Sequence, residues 1–250
     1  MPRRMPTTSQ LVRKGRNAPK KKLATQGAAV AVAARRRDRL DALVAAIEGE
    51  GGRAIAIEAD VTDQHQAIGA VERTVEELGR LDVVINNAGV MLLGPILDAP
   101  IDEWDTMVNV NVFGLLYVAK ASIPHLLKAA DGEPREVADL VNISSVAGRV
   151  ARSGSAVYNA TKHAVGAFSE GMRQEVTGRH VRVSLIEPGA VATELSSHNR
   201  EEILTQIKQR FSDMDRLEAE DIADAIGYVV TRPRHVAINE VLIRPTEQEQ

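Results

Sequence analysis

The 250-residue sequence contains no cysteine, and its aromatic residues are limited to one tryptophan, three tyrosines and three phenylalanines. Without cysteine, neither a disulfide framework nor a thiolate metal site can form. No apolar run is long enough to span a lipid bilayer, and the six histidines lack the spacing of metal ligands. No internal repeat or low-complexity linker divides the chain. These absences favour one cytoplasmic domain without a metal centre and without a membrane partner.

Acidic residues are absent from the first 22 positions. Eight of the 31 basic residues lie between Met1 and Lys22, so that Leu23 to Gln250 carry 23 basic and 34 acidic residues and a net charge of −11. We therefore divide the chain into an atypical basic segment, residues 1–22, and a domain of residues 23–250. The acidic domain implies no nucleic-acid partner, and only the basic segment could contact nucleic acid.

Short apolar runs alternate with amphipathic stretches from Ala28 onward. This pattern is typical of parallel strands joined by crossover helices, and it predicts a single Rossmann-type, doubly wound α/β sheet flanked by helices. The predicted strands are 28–34, 53–58, 81–85, 138–143, 181–187 and 236–243. The predicted helices are 38–48, 64–78, 101–130, 156–177 and 219–230, with a helical lid over the segment 195–216.

Ser145, Tyr158 and Lys162 form the most informative array in the sequence. Tyr158 and Lys162 are four apart, so a helix places them on one face, where the ammonium favours the phenolate form of the tyrosine. Such a tyrosine can transfer a proton near neutral pH. Ser145 follows an apolar strand, residues 140–144, and could donate a hydrogen bond to the same substrate oxygen. The alternative is that the tyrosine and lysine are merely neighbours on a helix surface.

Two strand ends carry residues suited to binding a nucleotide. Asn87, Ala88 and Gly89 follow one strand, where open α/β sheets place their ligands and where small residues admit a cofactor to the backbone. Asp60 and Val61 follow another strand, and Asp60 could accept a hydrogen bond from an adenine amino group. An asparagine-rich turn and a helix cap, respectively, are the alternatives.

Arg35 and Arg36 directly follow the strand 28–34, at the position that reads the adenine ribose in Rossmann-type sites. An acidic residue there favours NAD, whereas arginine complements the 2′-phosphate of NADP. NADP is therefore the expected cofactor and NAD the less favoured one. A solvated basic start of a helix is the alternative interpretation.

Asn111 and the segment 188–193 complete the candidate site. Asn111 lies within the long helical region, where an amide is costly to bury unpaired, and we predict that it holds a relay water beside Lys162. Pro188, Gly189, Val191 and Thr193 follow a strand end and are predicted to clasp the nicotinamide, with Thr193 facing the carboxamide. Taken alone, this last segment indicates only a turn.

Together, these motifs over Leu23 to Gln250 resemble the short-chain dehydrogenase/reductase family. The resemblance implies Tyr158 as general acid/base, Lys162 as the cation that assists it and binds ribose, Ser145 as the polariser of the carbonyl, and Asn111 in the proton relay. It implies reversible, NADP(H)-dependent reduction of a carbonyl to an alcohol by hydride transfer, on a small-molecule substrate. It also implies a homodimer or homotetramer. A looser resemblance is to the NADP-dependent clavulanate (clavaldehyde) dehydrogenase group.

The glycine-rich turn T-G-x-x-x-G-x-G that opens this family is missing. Its glycines are expected near Gln10, Lys14 and Arg16, whereas residues 5–16 resemble the N-terminal extension of the bacterial decoding-centre protein of the small ribosomal subunit. A fused or misassigned gene start is our interpretation. We expect the first, central strand to be replaced and cofactor binding to be weak, unless residues 10–12 fill part of the gap. The alternative function is a cofactor-deficient, non-catalytic homologue whose basic tail binds nucleic acid or a partner.

Overall fold

The computed structural model describes residues 7–11, 23–24, 27–211 and 214–249, and for 7–11 it describes the backbone alone. The strands are β1 (Thr7–Leu11), β2 (Ala29–Ala34), β3 (Arg53–Glu58), β4 (Val83–Asn86), β5 (Ala138–Ile143), β6 (Val181–Pro188) and β7 (Glu240–Ile243). The helices are α1 (Arg37–Gly49), α2 (Gln64–Leu78), α3 (Ile101–Val108), α4 (Gly114–Ala130), α5 (Ala156–Val176), α6 (Glu201–Arg210) and α7 (Ala219–Val230). The strands form one sheet in the order β3-β2-β1-β4-β5-β6-β7. All pairs are parallel, which confirms the predicted doubly wound α/β fold.

The central strands are buried because helices cover the sheet on both sides. Every residue of β4, β5 and β6 is buried, as expected for parallel strands between two helical layers. Helix α2 shows how the sequence determines where a helix on the sheet begins and ends. Asp63 caps its first turn by accepting the backbone N–H groups of His65 and Gln66, and Gly79 ends it in a left-handed conformation, with φ of 85°.

Strand β1 lies in the middle of the sheet, although the sequence lacks the apolar strand that we expect there. Its backbone pairs with β2 from Thr7 to Leu11, and with β4 from Thr8 to Gln10. The segment Thr7–Leu11 thus replaces the first, central strand, and Gln10 and Leu11 fill part of the gap, as the sequence analysis allowed. Residues 12–22, where the remaining glycines of the turn are expected, lie outside the described residues.

The predicted element bounds agree closely with the structure for β3, α2, β5 and α7. The last strand is shorter than predicted and begins at Glu240. The predicted helical region 101–130 is interrupted by a π-helical turn, Asn109–Phe113, which connects α3 to α4. The predicted lid 195–216 contains a short 3-10 helix, Glu194–His198, followed by α6.

The stretch Ile101–Ala130 is long and apolar enough, by length and composition, to cross a membrane. This corrects the expectation that no such run exists. In the fold, its α4 part packs on α2 and on strands β4 and β5. Buried residues of α4, among them Val118, Ala119 and Leu126, belong to the core of the domain, and a core helix can be as long and as apolar as a membrane span.

Candidate active site

An open cavity of about 240 Å³ lies at the carboxyl ends of β4, β5 and β6. Open α/β sheets bind ligands at this edge, beside the point where the strand order reverses, which here lies between β1 and β4. The cavity brings together seven of the predicted site residues. These are Asn87, Ser145, Tyr158, Pro188, Gly189, Val191 and Thr193.

Tyr158 and Lys162 lie one turn apart on α5, and both are buried. The Lys162 Nζ is 5.9 Å from the centre of the Tyr158 ring and donates a hydrogen bond of 2.9 Å to the carbonyl of Ile143, the last residue of β5. This bond fixes the ammonium between the helix and the strand end. A fixed positive charge at this position favours the phenolate form of Tyr158.

Ser145 lies in the loop after β5 and lines the cavity together with Gly189 and Thr193. Its hydroxyl accepts a hydrogen bond from the backbone of Ala147 at 3.1 Å and donates one of 3.4 Å to the carbonyl of Pro188. The long second bond is weak, so that the hydroxyl can exchange it for a substrate oxygen. Ser145 and Tyr158 therefore line the same space, as the sequence predicts.

Asn111 is fully buried in the π-helical turn. Its amide oxygen accepts from the backbone N–H of Val90 at 2.8 Å, and its amide nitrogen donates to the carbonyl of Val90 at 2.9 Å and to Thr161 Oγ1 at 3.1 Å. The side chain thus braces the loop after β4 against α5. It does not line the cavity, and its part in a proton relay stays a prediction.

The adenosine end predicted from the sequence is partly assembled. Arg35 Nη1 lies 3.7 Å from Asp60 Oδ2, which brings together the ends of β2 and β3. Arg36 is exposed at the start of α1. The side chain of Val61 is instead buried against Gly114 of α4, so that any contact of Val61 with a cofactor has to come from its backbone.

The loop after β4 lies beside the cavity. Asn87 and Gly89 are buried and Ala88 is half-buried, and of these three only Asn87 lines the cavity. On the opposite wall, the Thr193 hydroxyl accepts the backbone N–H of Leu195 at 3.4 Å and begins the 3-10 helix. Small residues and amide or hydroxyl groups at these strand ends fit the nicotinamide half of a dinucleotide.

Asn159, next to Tyr158, is a site residue that the sequence analysis missed. Its amide oxygen accepts from the Arg152 backbone at 3.3 Å and from Ser155 Oγ at 2.6 Å, and its amide nitrogen donates to the carbonyls of Ala147 and Val150, both at 2.8 Å. These four bonds fasten the loop that carries Ser145 to the helix that carries Tyr158. The only sequence signal was its adjacency to Tyr158.

Asn199 is a second missed residue, and it holds the lid segment. Its side chain accepts the backbone N–H of Leu93 at 2.7 Å and donates to the carbonyls of Met91 at 2.9 Å and Ser196 at 2.8 Å. The segment after the 3-10 helix is thereby tied to the loop after β4, on the far side of the cavity. No local pattern marks a contact between residues more than 100 positions apart.

Arg149 links the Ser145 loop to the edge of the sheet. Its guanidinium donates to the buried carboxylate of Glu187 in β6, with Nε at 2.8 Å, and also contacts Glu240 in β7. Hydrogen bonds to Glu187 and then Glu240 raise the pKa of Arg149 further above its ordinary value. This ion pair fixes the position of β6 directly before Pro188.

Comparisons with known proteins agree with this geometry. The model of the short chain dehydrogenase family matches residues 17–204. An uncharacterized oxidoreductase of Staphylococcus saprophyticus is 36% identical over 231 residues, which cover 90% of this chain and 89% of that protein.

Among the solved structures that resemble nearly the whole chain are two complexes with NADP+ or NADP. One is the closed form of a serine dehydrogenase complexed with NADP+, with a TM-score of 0.86, 29% identity, and coverage of 97% of this chain and 96% of the other. The second is a metagenomic short-chain oxidoreductase in complex with NADP, with a TM-score of 0.78, 27% identity, and coverage of 97% and 98%. With the family model matching about three quarters of its residues, this chain belongs to the short chain dehydrogenase family of oxidoreductases.

Proposed function

We propose that this protein is an NADP(H)-dependent oxidoreductase that reversibly reduces an aldehyde or ketone to an alcohol. The observation that carries the proposal is the convergence of Ser145 and Tyr158 on one cavity, with the Lys162 ammonium fixed 5.9 Å from the Tyr158 ring. A hydrogen-bond donor and a proton donor then face the same substrate oxygen.

In the direction of reduction, each of these residues has a separate task. NADPH, when bound, supplies the hydride that the carbonyl carbon receives. The Ser145 hydroxyl donates a hydrogen bond to the carbonyl oxygen and polarises it. The Tyr158 hydroxyl delivers its proton to that oxygen as negative charge develops there, and the Lys162 ammonium stabilises the phenolate that remains. In the oxidation, the Tyr158 phenolate takes the proton back.

The preference for NADP over NAD is supported by the end of β2. Residues 35–37 are all arginine, and Arg35 pairs with Asp60 at the neighbouring strand end. Planar guanidinium groups complement the 2′-phosphate that distinguishes the two cofactors. Both similar structures described above are complexes with NADP or NADP+. In this proposal Arg35 and Arg36 hold the 2′-phosphate, and Thr193 holds the carboxamide.

The substitution Tyr158→Phe tests the proposal, because it removes one hydroxyl from a buried ring. We expect NADPH-dependent aldehyde reduction to fall by about 10²- to 10⁴-fold, the usual contribution of a general acid, with the melting temperature nearly unchanged. Tyr228→Phe is the matched control, since Tyr228 is exposed on α7 and its hydroxyl lies outside the cavity lining. Equal activity of the two variants would contradict the proposed role of Tyr158.

A second candidate function is a non-catalytic homologue that does not bind the cofactor. The observation in its favour is the sequence of residues 1–22, in which Gly15 is the only glycine. Calorimetry with NADPH and NADH separates the two candidates when the chain is compared with a variant that carries a T-G-x-x-x-G-x-G turn in this segment. We expect the chain itself to bind NADPH more tightly than NADH. Binding by the variant alone would favour the second candidate.

A further inference from the structure

The C-terminal segment of the chain returns to the cavity. Strand β7 ends at Ile243, and in the turn that follows, the backbone N–H of Gln248 donates a hydrogen bond of 3.0 Å to the carbonyl of Pro245. The turn reverses the chain, and Gln248 lines the cavity together with Gly189 and Thr193. The proposed reaction does not use this residue, although it belongs to the wall of the site.

The side chain of Gln248 binds the loop of residues 188–193, for which we propose a contact with the nicotinamide. Its Oε1 accepts a hydrogen bond of 2.8 Å from the backbone N–H of Ala190, which is 58 positions away in the sequence. The preceding N–H, that of Gly189, donates to the carbonyl of Ile243 at 2.7 Å. The end of β7 and the turn after it therefore hold two consecutive N–H groups of this loop.

The packing at Gly189 is a second, independent observation. A Cβ added to Gly189 would overlap Oε1 of Gln248, and it would lie 3.1 Å from Cδ of Gln248 and 3.1 Å from Cδ of Pro245. The C-terminal turn thus occupies the space that a side chain at position 189 would need. Glycine at this position allows the close approach of the two segments.

The other side of the loop 188–193 is held by the segment after the lid. The Ala190 carbonyl accepts the N–H of Leu217 at 3.1 Å, and the Ala192 N–H donates to the Leu217 carbonyl at 2.7 Å. The N–H of Asp215 donates in turn to the carboxylate of Glu247 at 3.2 Å. The loop, the segment after the lid and the C-terminal turn therefore form one connected set of hydrogen bonds.

From the bond to Ala190, the close packing at Gly189 and the place of Gln248 in the cavity wall, we propose that Gln248 is a positioning residue. It holds Ala190, and with it the loop 188–193, in the conformation that receives the nicotinamide of NADP(H). A loop that is ordered before binding spares the cofactor the free energy of ordering it. This inference rests on the proposed function and adds to it a residue at the C-terminal end that sets the affinity for the cofactor.

The first test measures the Kd of NADPH by calorimetry. Gln248→Met keeps the length of the side chain but removes the amide, and the Kd should rise by about two- to tenfold, the usual net contribution of one hydrogen bond. Gln248→Glu retains an acceptor for the Ala190 N–H and should restore most of the affinity. Gln64→Met is the matched control, because Gln64 is exposed at the start of α2, and it should leave the Kd unchanged.

Two further readouts separate positioning from a merely structural contact. A structural contact alone would lower the melting temperature of the chain without NADPH and leave the Kd of the folded chain as it is. In aldehyde reduction, the KM for NADPH should rise in Gln248→Met together with the Kd, whereas the KM for the aldehyde at saturating NADPH should stay the same. A change confined to the KM for the aldehyde would overturn the inference.

The close packing at Gly189 gives a second test, a double-mutant cycle. Gly189→Ala alone has to displace Gln248 or the loop and should weaken NADPH binding. In the Gln248→Ala background, the overlap with the glutamine side chain is gone. The combined increase in Kd should therefore be at least about twofold smaller than the product of the two single effects. Independent effects that multiply fully would contradict the contact.

The outcomes distinguish the inference from the proposed function. If the parent chain binds NADPH but reduces no aldehyde, the carbonyl reduction is refuted, and the comparison of Kd values still decides the role of Gln248. If the parent chain binds no NADPH, both are refuted. If Gln248→Met binds NADPH as tightly as the parent chain, the inference alone is overturned. A loss of affinity in Gln248→Met that Gln248→Glu restores supports it.

Discussion

Gly148→Ala is the substitution for which the structure gives the sharpest expectation. Gly148 ends the short 3-10 helix after Ser145 and lies against the backbone of α5. An alanine Cβ built there would be 2.7 Å from Ser144 Oγ and 2.9 Å from the carbonyl oxygen of Lys162. Both distances are shorter than ordinary van der Waals contacts, so the loop and the helix cannot both keep their positions.

The size of the effect follows from what has to move. Ser144 Oγ donates a hydrogen bond of 3.1 Å to the same Lys162 carbonyl, so rotating the serine away breaks that bond. Shifting the Lys162 carbonyl instead disturbs α5 beside Tyr158 and Lys162. Overpacking of this kind costs about 1–3 kcal/mol. For a chain of this length, that corresponds to a fall in melting temperature of about 2–12 °C.

The assay pairs thermal unfolding with the rate of aldehyde reduction, and kcat should fall because the backbone that carries Lys162 is displaced. Gly69→Ala is the matched control. Gly69 is exposed in α2 and has no atom within 4 Å of an added Cβ, so the same change should stabilise the helix by up to about 1 kcal/mol. If Gly148→Ala melts at the same temperature and turns over at the same rate as the parent chain, the reasoning about this contact is refuted.

Two other residues on α5 yield predictions. Asn159→Asp preserves the shape of the side chain but removes both donors to the carbonyls of Ala147 and Val150. Urea denaturation should show that the free energy of unfolding falls by about 2–4 kcal/mol. The control Asn109→Asp, at an exposed position, should leave it almost unchanged. A hydrogen bond from Arg173, and then one from Gln174, lower the pKa of Glu170 from 4.5 to about 2. Because the folded-state pKa is the lower one, this carboxylate stabilises the fold above pH 4.5 and loses that effect as the pH falls towards 2. Glu170→Gln should therefore lower the melting temperature slightly at pH 7, and this difference from the parent chain should shrink below pH 4.5. A difference that stays constant with pH would contradict the lowered pKa of Glu170. The same would follow if the control Glu175→Gln reproduced the pH-dependent difference.

The sequence determined the fold class and the candidate catalytic array because both depend on local periodicity. Alternating apolar runs and amphipathic stretches identify strands and helices, and a four-residue spacing on a helix is sufficient to place Tyr158 and Lys162 together. The position of Ser145 could be predicted for a similar reason, because the end of β5 leads directly into the loop before α5. The extent of the replacement strand β1 could not be predicted from its own residues, because β1 depends on its neighbours: its backbone pairs with β2 on one side and with β4 on the other.

Tertiary structure decided which polar groups meet across the sheet. The amide of Asn111 binds the backbone of Val90 and the side-chain hydroxyl of Thr161, and the side chain of Asn199 binds the backbone N–H of Leu93, 106 positions away. The side chain of Val61, a predicted cofactor-binding residue, is buried against Gly114, because its orientation depends on how α4 packs. A local pattern can specify which residue types are present at a strand end. The distances between strand ends, however, depend on the order of the strands and the packing of the helices. Both follow from the burial of apolar surface over the whole chain.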